Sequence, residues 1–347
     1  MKRTVFGFVT ALYLCAVCVS AAEAQAGQPG ELFLSDSVVA FTLMADLKAL
    51  EGDRSQESEE RPGTVLLVGP AGDSVQLPVE VKTRGRYRLQ RNICSFPPLR
   101  LNFQESEPKG TVFDGQDKLK LVTHCHDRNS FMQNVLEEYL AYRIYNQLTD
   151  SSFRVRLVDI TYIDTSGESE PLRRMGFLLE DADALAERVG GMKLEIPGAR
   201  ATAFEPQQMG TMFLFQYMIG NIDWSTANTQ NLEVLRVEMD HFAIPYDFDW
   251  SGLVDAPYAG PSALTERLHE SVRERLYQGV CWGAIDFRPI LSLFQEKRGA
   301  IMAAVKNVPG LSESNSRQAS EYLEEFYDFI EDPDRAIRTL GRLCSGG

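Results

Sequence analysis

The chain is poor in positive charge, poor in cysteine and, beyond its first residues, free of long apolar runs. It carries 35 Lys and Arg against 49 Asp and Glu. With residues 1–26 set aside, 33 basic residues face 48 acidic ones, a net charge of −15. Such a surface repels polyanions, which argues against nucleic acid or an anionic lipid surface as a partner. Beyond residue 26 the cysteines show no Cys-x-x-Cys spacing, so zinc-ribbon and redox-motif chemistry has no signature there. No Gly-x-Gly-x-x-Gly is present to cover a nucleotide's phosphates. No internal repeat is visible. The one apolar run, residues 5–19, is too short and too early for a permanent membrane span.

What that run does resemble in physical terms is an export signal. Lys2 and Arg3 precede it, and small-x-small sites follow at Ala22-Glu23-Ala24 and Ala24-Gln25-Ala26. Cleavage is expected after Ala26. Cys15 and Cys18 lack the small-residue context for lipid attachment and leave with the peptide. The expected product is exported, periplasmic or extracellular, without a membrane span. Its 321 residues suffice for one large domain or two lobes, and the 44% apolar content is that of a packed core. An oxidising compartment favours disulfides among Cys94, Cys125, Cys281 and Cys344. Four cysteines allow three pairings. Cys94–Cys125 and Cys281–Cys344 are the pairs expected here.

Strand signals dominate the first half, at residues 37–44, 64–68, 74–83, 99–103 and 118–123, with a Gly-Pro-x-Gly hairpin turn at 69–72. The charged stretch 51–62 reads as an exposed loop. The sheet is expected to be antiparallel or mixed. After polar capping candidates at 127–130 the period changes, because Leu136, Leu140, Ile144 and Leu148 recur every fourth residue of an amphipathic helix. Strands follow at 154–163 and 174–179. Residues 209–219 read as a mostly buried helix, and further helices fit 264–277, 289–305, 316–330 and 334–343. Residues 27–180 thus form a strand-rich lobe with one helix and residues 181–347 a helical lobe, an α+β arrangement that implies a cleft and a ligand in it.

Polar chemistry concentrates just after the buried helix, at residues 219–228, and again at 244–249. Asp223 and Asn228 have the Asp-x-x-x-x-Asn spacing that sets a base beside a magnesium ligand in phosphotransferases, and Asp247 follows a hairpin. A carboxylate to accept a hydroxyl proton and hard oxygen ligands for magnesium are what phosphoryl transfer requires.

These two stretches resemble the atypical kinases of the HipA and spore-coat CotH type, and more distantly the lipid kinases. Those families read Gly-Asn-x-Asp-x-x-x-x-Asn and Pro-Tyr-Asp, which Gly220 to Asn228 and Pro245 to Asp247 match. The resemblance spans roughly residues 80–260 and is one of motif order. It implies a two-lobed protein-kinase-like fold with Mg and ATP as cofactors and an unknown phosphate acceptor. Asp223 would be the catalytic base, with Asn228 and Asp247 as metal ligands. Asp249 is a further acidic candidate, since the segment reads Asp-Phe-Asp where protein kinases have Asp-Phe-Gly. Upstream, Lys120 on a strand precedes a helix carrying Glu138, as the phosphate-binding Lys and its paired Glu do in kinases. Lys118 and Arg100 are alternative cations for that role. Gly176 to Glu180 resembles the strand that enters the lobe hinge, placing Glu180 at the adenine. Arg84-Gly85-Arg86 resembles the Arg-Gly-x-Ser loop of the CotH type without its Ser.

Blander roles exist for each residue. Asp or Asn after a helix commonly caps or turns, and Lys118 and Lys120 fit a solvated strand face as well. Glu138 could be no more than the polar side of its helix. His124-x-His126 supplies too few ligands for a metal, and Phe213, Phe215, Tyr217 and Trp224 read as core. The functional expectation is therefore an exported kinase-fold protein, a Mg-ATP phosphotransferase or, as the alternative, a catalytically inactive binding or scaffold protein of that fold.

Overall fold

The computed structural model describes residues 32–69, 71–103, 108–260 and 271–344. The export signal expected over residues 1–26 lies outside them. Seven strands close a barrel in the order β1-β2-β3-β4-β5-β7-β6. They are β1 (Val39–Ala45), β2 (Arg61–Val68), β3 (Ser74–Thr83), β4 (Leu99–Asn102), β5 (Lys118–Val122), β6 (Val155–Asp164) and β7 (Leu172–Leu179). Local chemistry accounts for most of it. Val39, Phe41, Leu43 and Ala45 alternate inward along β1, as do Leu77, Val79 and Val81 along β3. The turn between β2 and β3 is closed by Gly72 N–H donating to the Gly69 carbonyl. What closes the barrel is the parallel pairing of β1 with β6, from Val39↔Val158 to Ala45↔Asp164. That contact joins strands more than a hundred residues apart, and it makes the sheet mixed and continuous rather than an open kinase-like sheet.

The helices are α1 (Leu47–Gly52), α2 (Asn129–Leu148), α3 (Ala182–Arg188), α4 (Pro206–Ile219), α5 (Phe287–Lys306), α6 (Glu313–Ile330) and α7 (Pro333–Leu343). A second sheet runs β10-β9-β8, from β8 (Gly191–Leu194), β9 (Leu232–Val237) and β10 (Asp240–Pro245). The expected helix over 264–277 does not form at its described end, since residues 271–274 are bends and turns and 275–277 are irregular; 264–270 fall outside the described residues. Among the described residues no helix is long and apolar enough to cross a membrane. The loop expected at 51–62 holds the end of α1 and the start of β2 at its borders.

Two apolar cores result. One fills the barrel with Phe41, Val65, Val81, Leu101, Leu121 and Ile160. The other joins α2 and the outward face of β7 to the C-terminal helices through Leu140, Phe177, Phe215, Phe248, Phe294 and Phe326. Both expected disulfides are present: Cys94–Cys125 with Cα atoms 4.6 Å apart, and Cys281–Cys344 at 5.1 Å. The first ties the stretch after β3 to the β5–α2 connection. The second fastens the C-terminus of α7 to the segment before α5.

Candidate functional site

The site lies where the second core meets the mouth of the barrel, and α4 fixes its floor. Buried on nearly every face, α4 ends at Gly220 in the left-handed conformation (φ 66°), whose N–H donates to the carbonyls of Gln216 and Tyr217. A side chain at 220 would collide with the Tyr322 hydroxyl. Asn221, 1% exposed, then shapes the turn. Its Nδ2 donates to Gln216 Oε1 at 3.0 Å, and its Oδ1 accepts from Asp223 N–H at 3.0 Å. The Trp224 Nε1–H donates to the Asn221 carbonyl at 3.2 Å.

Asp223 is thereby presented to the cleft, and its partner is Asn231, not Asn228. Asn231 Nδ2 donates to Asp223 Oδ2 at 2.9 Å, and the Asn231 carbonyl accepts from Tyr246 N–H at 3.0 Å. Gln230 Nε2 also donates to Asp223 Oδ1. Asn228 is exposed and spends its Oδ1 on the N–H of Gln230 in an Asx turn. The spacing argument therefore picked a turn-former; the working amide comes three residues later, where the left-handed φ of 53° turns the chain into β9.

Asp247 sits after β10, also left-handed (φ 63°), with its N–H donating to the Tyr142 hydroxyl at 2.8 Å. Phe248, fully buried, lies between Tyr142 and Phe215 with ring centroids 4.6 and 5.3 Å away. That anchor turns Asp247 and Asp249 toward one point, and a guanidinium is there. Arg88, from the 3-10 turn Tyr87–Leu89, meets Asp247 Oδ1 at 3.1 Å, Asp249 Oδ2 at 3.3 Å and Glu138 Oε2 at 3.5 Å. Asp249 also accepts from the Tyr258 hydroxyl at 2.9 Å. Glu138 is thus paired with Arg88 and not with Lys120, correcting the expected strand-to-helix pair. Three carboxylates share one cation here. Burial first, and then the charges of Asp249 and Asp247, push Glu138 up against the pull of Arg88. Burial likewise raises Asp249, with Asp247 and Asp223 adding to it against Arg88. Burial and then Asp247 raise Asp223. Arg88 itself is held firmly charged by its carboxylates in spite of burial.

A second group of cations lines the barrel side. Lys120 and Arg100 are direct cross-strand partners and share a face. Lys120 Nζ lies 5.2 Å from the centre of the Tyr246 ring. Burial and then the Arg84 guanidinium push Lys120 down, with Arg100 adding to the effect and Glu233 and Asp181 opposing it. The Nε of Arg84 is buried without a hydrogen-bond partner, and Asp247 is the charge that opposes its desolvation. Lys118 is exposed and sits with Asp117 at 3.6 Å, away from this group. Glu180 is a structural anchor: both its oxygens accept from Arg188 at 2.8 Å, and Oε2 accepts from Arg154 N–H at 2.9 Å.

Comparison with known proteins adds little to this geometry. No family model matches, and no curated protein matches. Among solved structures, the chain is similar to HipA of Shewanella oneidensis MR-1, solved with HipB and operator DNA, at 12% identity and a TM-score of 0.36. The match covers 69% of this chain and 65% of that one. The site's reading therefore rests on its own residues.

Those residues do not make the magnesium site that Asn228, Asp247 and Asp249 were expected to form. Asn228 points elsewhere, Asp249 is committed to Arg88 and Tyr258, and no group of three or more His, Cys, Asp or Glu among the described residues is placed to hold a metal ion. The arrangement missed from sequence is the arginine one. Its signal was present in Arg84-Gly85-Arg86-Tyr87-Arg88, three arginines at alternate positions directly after a strand in a chain otherwise short of cations.

Proposed function

We propose that this cleft is a kinase-like site that binds a nucleoside triphosphate and uses Asp223 as the base for phosphoryl transfer to a hydroxyl. The observation carrying the reading is the opposition of two walls. Arg84, Lys120 and Arg100 crowd together at a cost that a polyphosphate would relieve, and Asp223, Asp247 and Asp249 converge on the other side. In the transfer, Asp223 takes the proton of the acceptor hydroxyl as the new P–O bond forms. The bond to the leaving diphosphate breaks, and Arg84 and Lys120 offset the charge released. Asn231 and Gln230 hold the Asp223 carboxylate in orientation. Export to an oxidising compartment is part of the proposal, supported by the two disulfides.

The second reading, binding without turnover, is favoured by one observation: the acids that would serve a metal are paired with Arg88. The two separate experimentally. ATP should raise the melting temperature of the wild type, and Lys120→Ala should weaken binding by about tenfold or more, the size of a lost charge-assisted bond. Transfer of the γ-phosphate label to the chain itself or to a mixed Ser/Thr/Tyr peptide should fall by about 10²–10⁴ in Asp223→Asn while ATP still binds. Retained transfer in that variant removes Asp223 as base, and the absence of any thermal response to nucleoside triphosphates removes the site.

A further inference from the structure

Arg88 is held in place more elaborately than a chance surface arginine. The carbonyl of Leu89, next in sequence and 3% exposed, accepts from Arg54 Nη1 at 3.2 Å, and the same Nη1 donates to the Cys94 carbonyl at 3.1 Å. Beyond it, Ile93 and Cys94 fold back through their N–H groups onto the Gln90 carbonyl, and the Cys94–Cys125 disulfide pins that stretch to the connection leading into α2. On the other side, Tyr87 packs edge-on against Trp250 with centroids 5.0 Å apart, and its hydroxyl donates to the Tyr258 carbonyl at 3.4 Å. The turn is therefore fastened to the barrel, to α2 and to the segment carrying Asp247 and Asp249. Within it, Glu138 keeps one buried oxygen, Oε1, without a partner, although Glu138 is 1% exposed. Arg88 is the one cation in ion-pair contact with all three acids, with Arg84 acting on Glu138 and Asp247 from further off, which leaves the contact cluster itself short of positive charge.

We infer that Arg88 is the resident cation of this site: its guanidinium holds the position between Glu138, Asp247 and Asp249 that a divalent ion would otherwise fill, so that nucleotide binding here does not depend on a metal. Arg88 is then a positioning residue. It keeps Asp247 turned toward the cleft and prevents the three carboxylates from repelling one another. The part concerning nucleotide rests on the proposed reading of the cleft; the part concerning cation replacement does not.

The experiment has two arms, chosen so that the two ideas fail separately. In the first, the full chain is melted without nucleotide in EDTA and then in millimolar MgCl2 or MnCl2. The wild type should be indifferent to the metal. Arg88→Ala should melt lower in EDTA and recover with either metal, because the vacated acids now take a divalent ion. Arg88→Lys, which keeps the charge on a side chain without the planar fork, should stay indifferent. If Arg88→Ala does not fold, Arg88→Ala with Asp249→Asn reduces the repulsion and should fold with a smaller metal response. A wild type stabilised by metal as strongly as Arg88→Ala overturns the inference, and so does a folded Arg88→Ala that ignores metal. In the second arm, ATP affinity of the wild type should be the same within about threefold in EDTA and in Mg²⁺, whereas Arg88→Gln should become dependent on Mg²⁺ by about tenfold or more. Strict Mg²⁺ dependence in the wild type overturns the inference and leaves the nucleotide reading standing. Metal recovery in Arg88→Ala with no ATP binding in any variant overturns the nucleotide reading and leaves the resident cation.

Discussion

Two arginines in this molecule, Arg88 buried and Arg188 half-buried, do opposite things with their charge. Arg188 and Glu180 are matched one to one, a two-point contact with the remaining donors of Arg188 given to the carbonyls of Asp150 and Ser152. Arg88 faces Glu138, Asp247 and Asp249 together. The first arrangement is closed: every nitrogen of the guanidinium and both oxygens of Glu180 have a local partner, and one charge answers one charge. The second is open, since it concentrates carboxylates beyond what one guanidinium neutralises and accepts the desolvation cost. A fold gains nothing in stability from such an excess, because burying charge without full compensation is unfavourable. The excess is thus a better pointer to function than the presence of a buried ion pair, which the Arg188 site shows can be wholly structural.

The comparison breaks most visibly at the matched pair. Arg188→Ala leaves Glu180 buried without its cation, and chemical denaturation at neutral pH should show a loss of about 3–5 kcal/mol. A loss below about 1 kcal/mol would mean that Glu180 finds water, and the contrast with Arg88 would lose its sense. Glu137 sharpens the same contrast as a carboxylate with no ion-pair contact among the described residues, Arg273 acting on it only weakly. It is 4% exposed and accepts from Asn134 Nδ2 at 3.2 Å and Asn315 Nδ2 at 2.8 Å, joining α2 to α6. Burial pushes its carboxyl up to about 7, with the two amides pulling the other way. The folded state therefore holds a proton that the unfolded chain releases near the ordinary glutamate value. The associated stability is fully present below about pH 4.5 and is lost as pH rises to about 7. Relative to the wild type, Glu137→Gln should gain about 3 kcal/mol between pH 4.5 and pH 8, read as the difference of two stability–pH curves. Parallel curves would show that Glu137 titrates normally.

Much of the scaffold could be read from residues alone, because it is written in short-range periodicity. The β2–β3 hairpin, α2, α4 and the C-terminal helices follow from alternation, from leucines at every fourth position, and from Gly and Pro at their ends. Barrel closure could not be read, as it depends on β1 lying parallel to β6, a contact with no local signature. Of the groups brought together here, Asp223, Asp247, Lys120 and Arg100 were named from the sequence, and Arg88 was not. Asp223 and Asp247 belong to short motifs that the chain presents contiguously, whereas Arg88 reaches Asp247 across 159 residues. Kinase-like order suggested Lys120 for Glu138. The structure places Lys120 over Tyr246 beside Arg84 and Arg100, and a turn one strand earlier delivers the arginine instead. Asn228 was chosen by spacing, yet an exposed Asn between Ala227 and Thr229 is first a turn-former, and Asn231 at a left-handed position was the more constrained residue.

The smallest effect is the most discriminating between an open and a closed charge cluster. In a closed one, neutralising an acid strands its partner and destabilises, as at Arg188. In an open one, neutralising an acid relieves repulsion. Asp249→Asn keeps the shape of the side chain and can still accept from the Tyr258 hydroxyl, while it removes one of three charges around Arg88. Burial and the neighbouring Asp247 and Asp223 already hold Asp249 up, to about 6. Its folded-state stability is accordingly highest below the ordinary aspartate value and is lost as pH rises through about 6. At pH 7 and above, Asp249→Asn should therefore stabilise by about 2 kcal/mol, a rise of several degrees in melting temperature, and the gain should vanish near pH 4. A destabilised variant at neutral pH would place Asp249 with Glu180 as one half of a balanced pair. Arg88 and Asp249 would then be the matched pair, and Glu138 and Asp247 would be the two acids in surplus beside it.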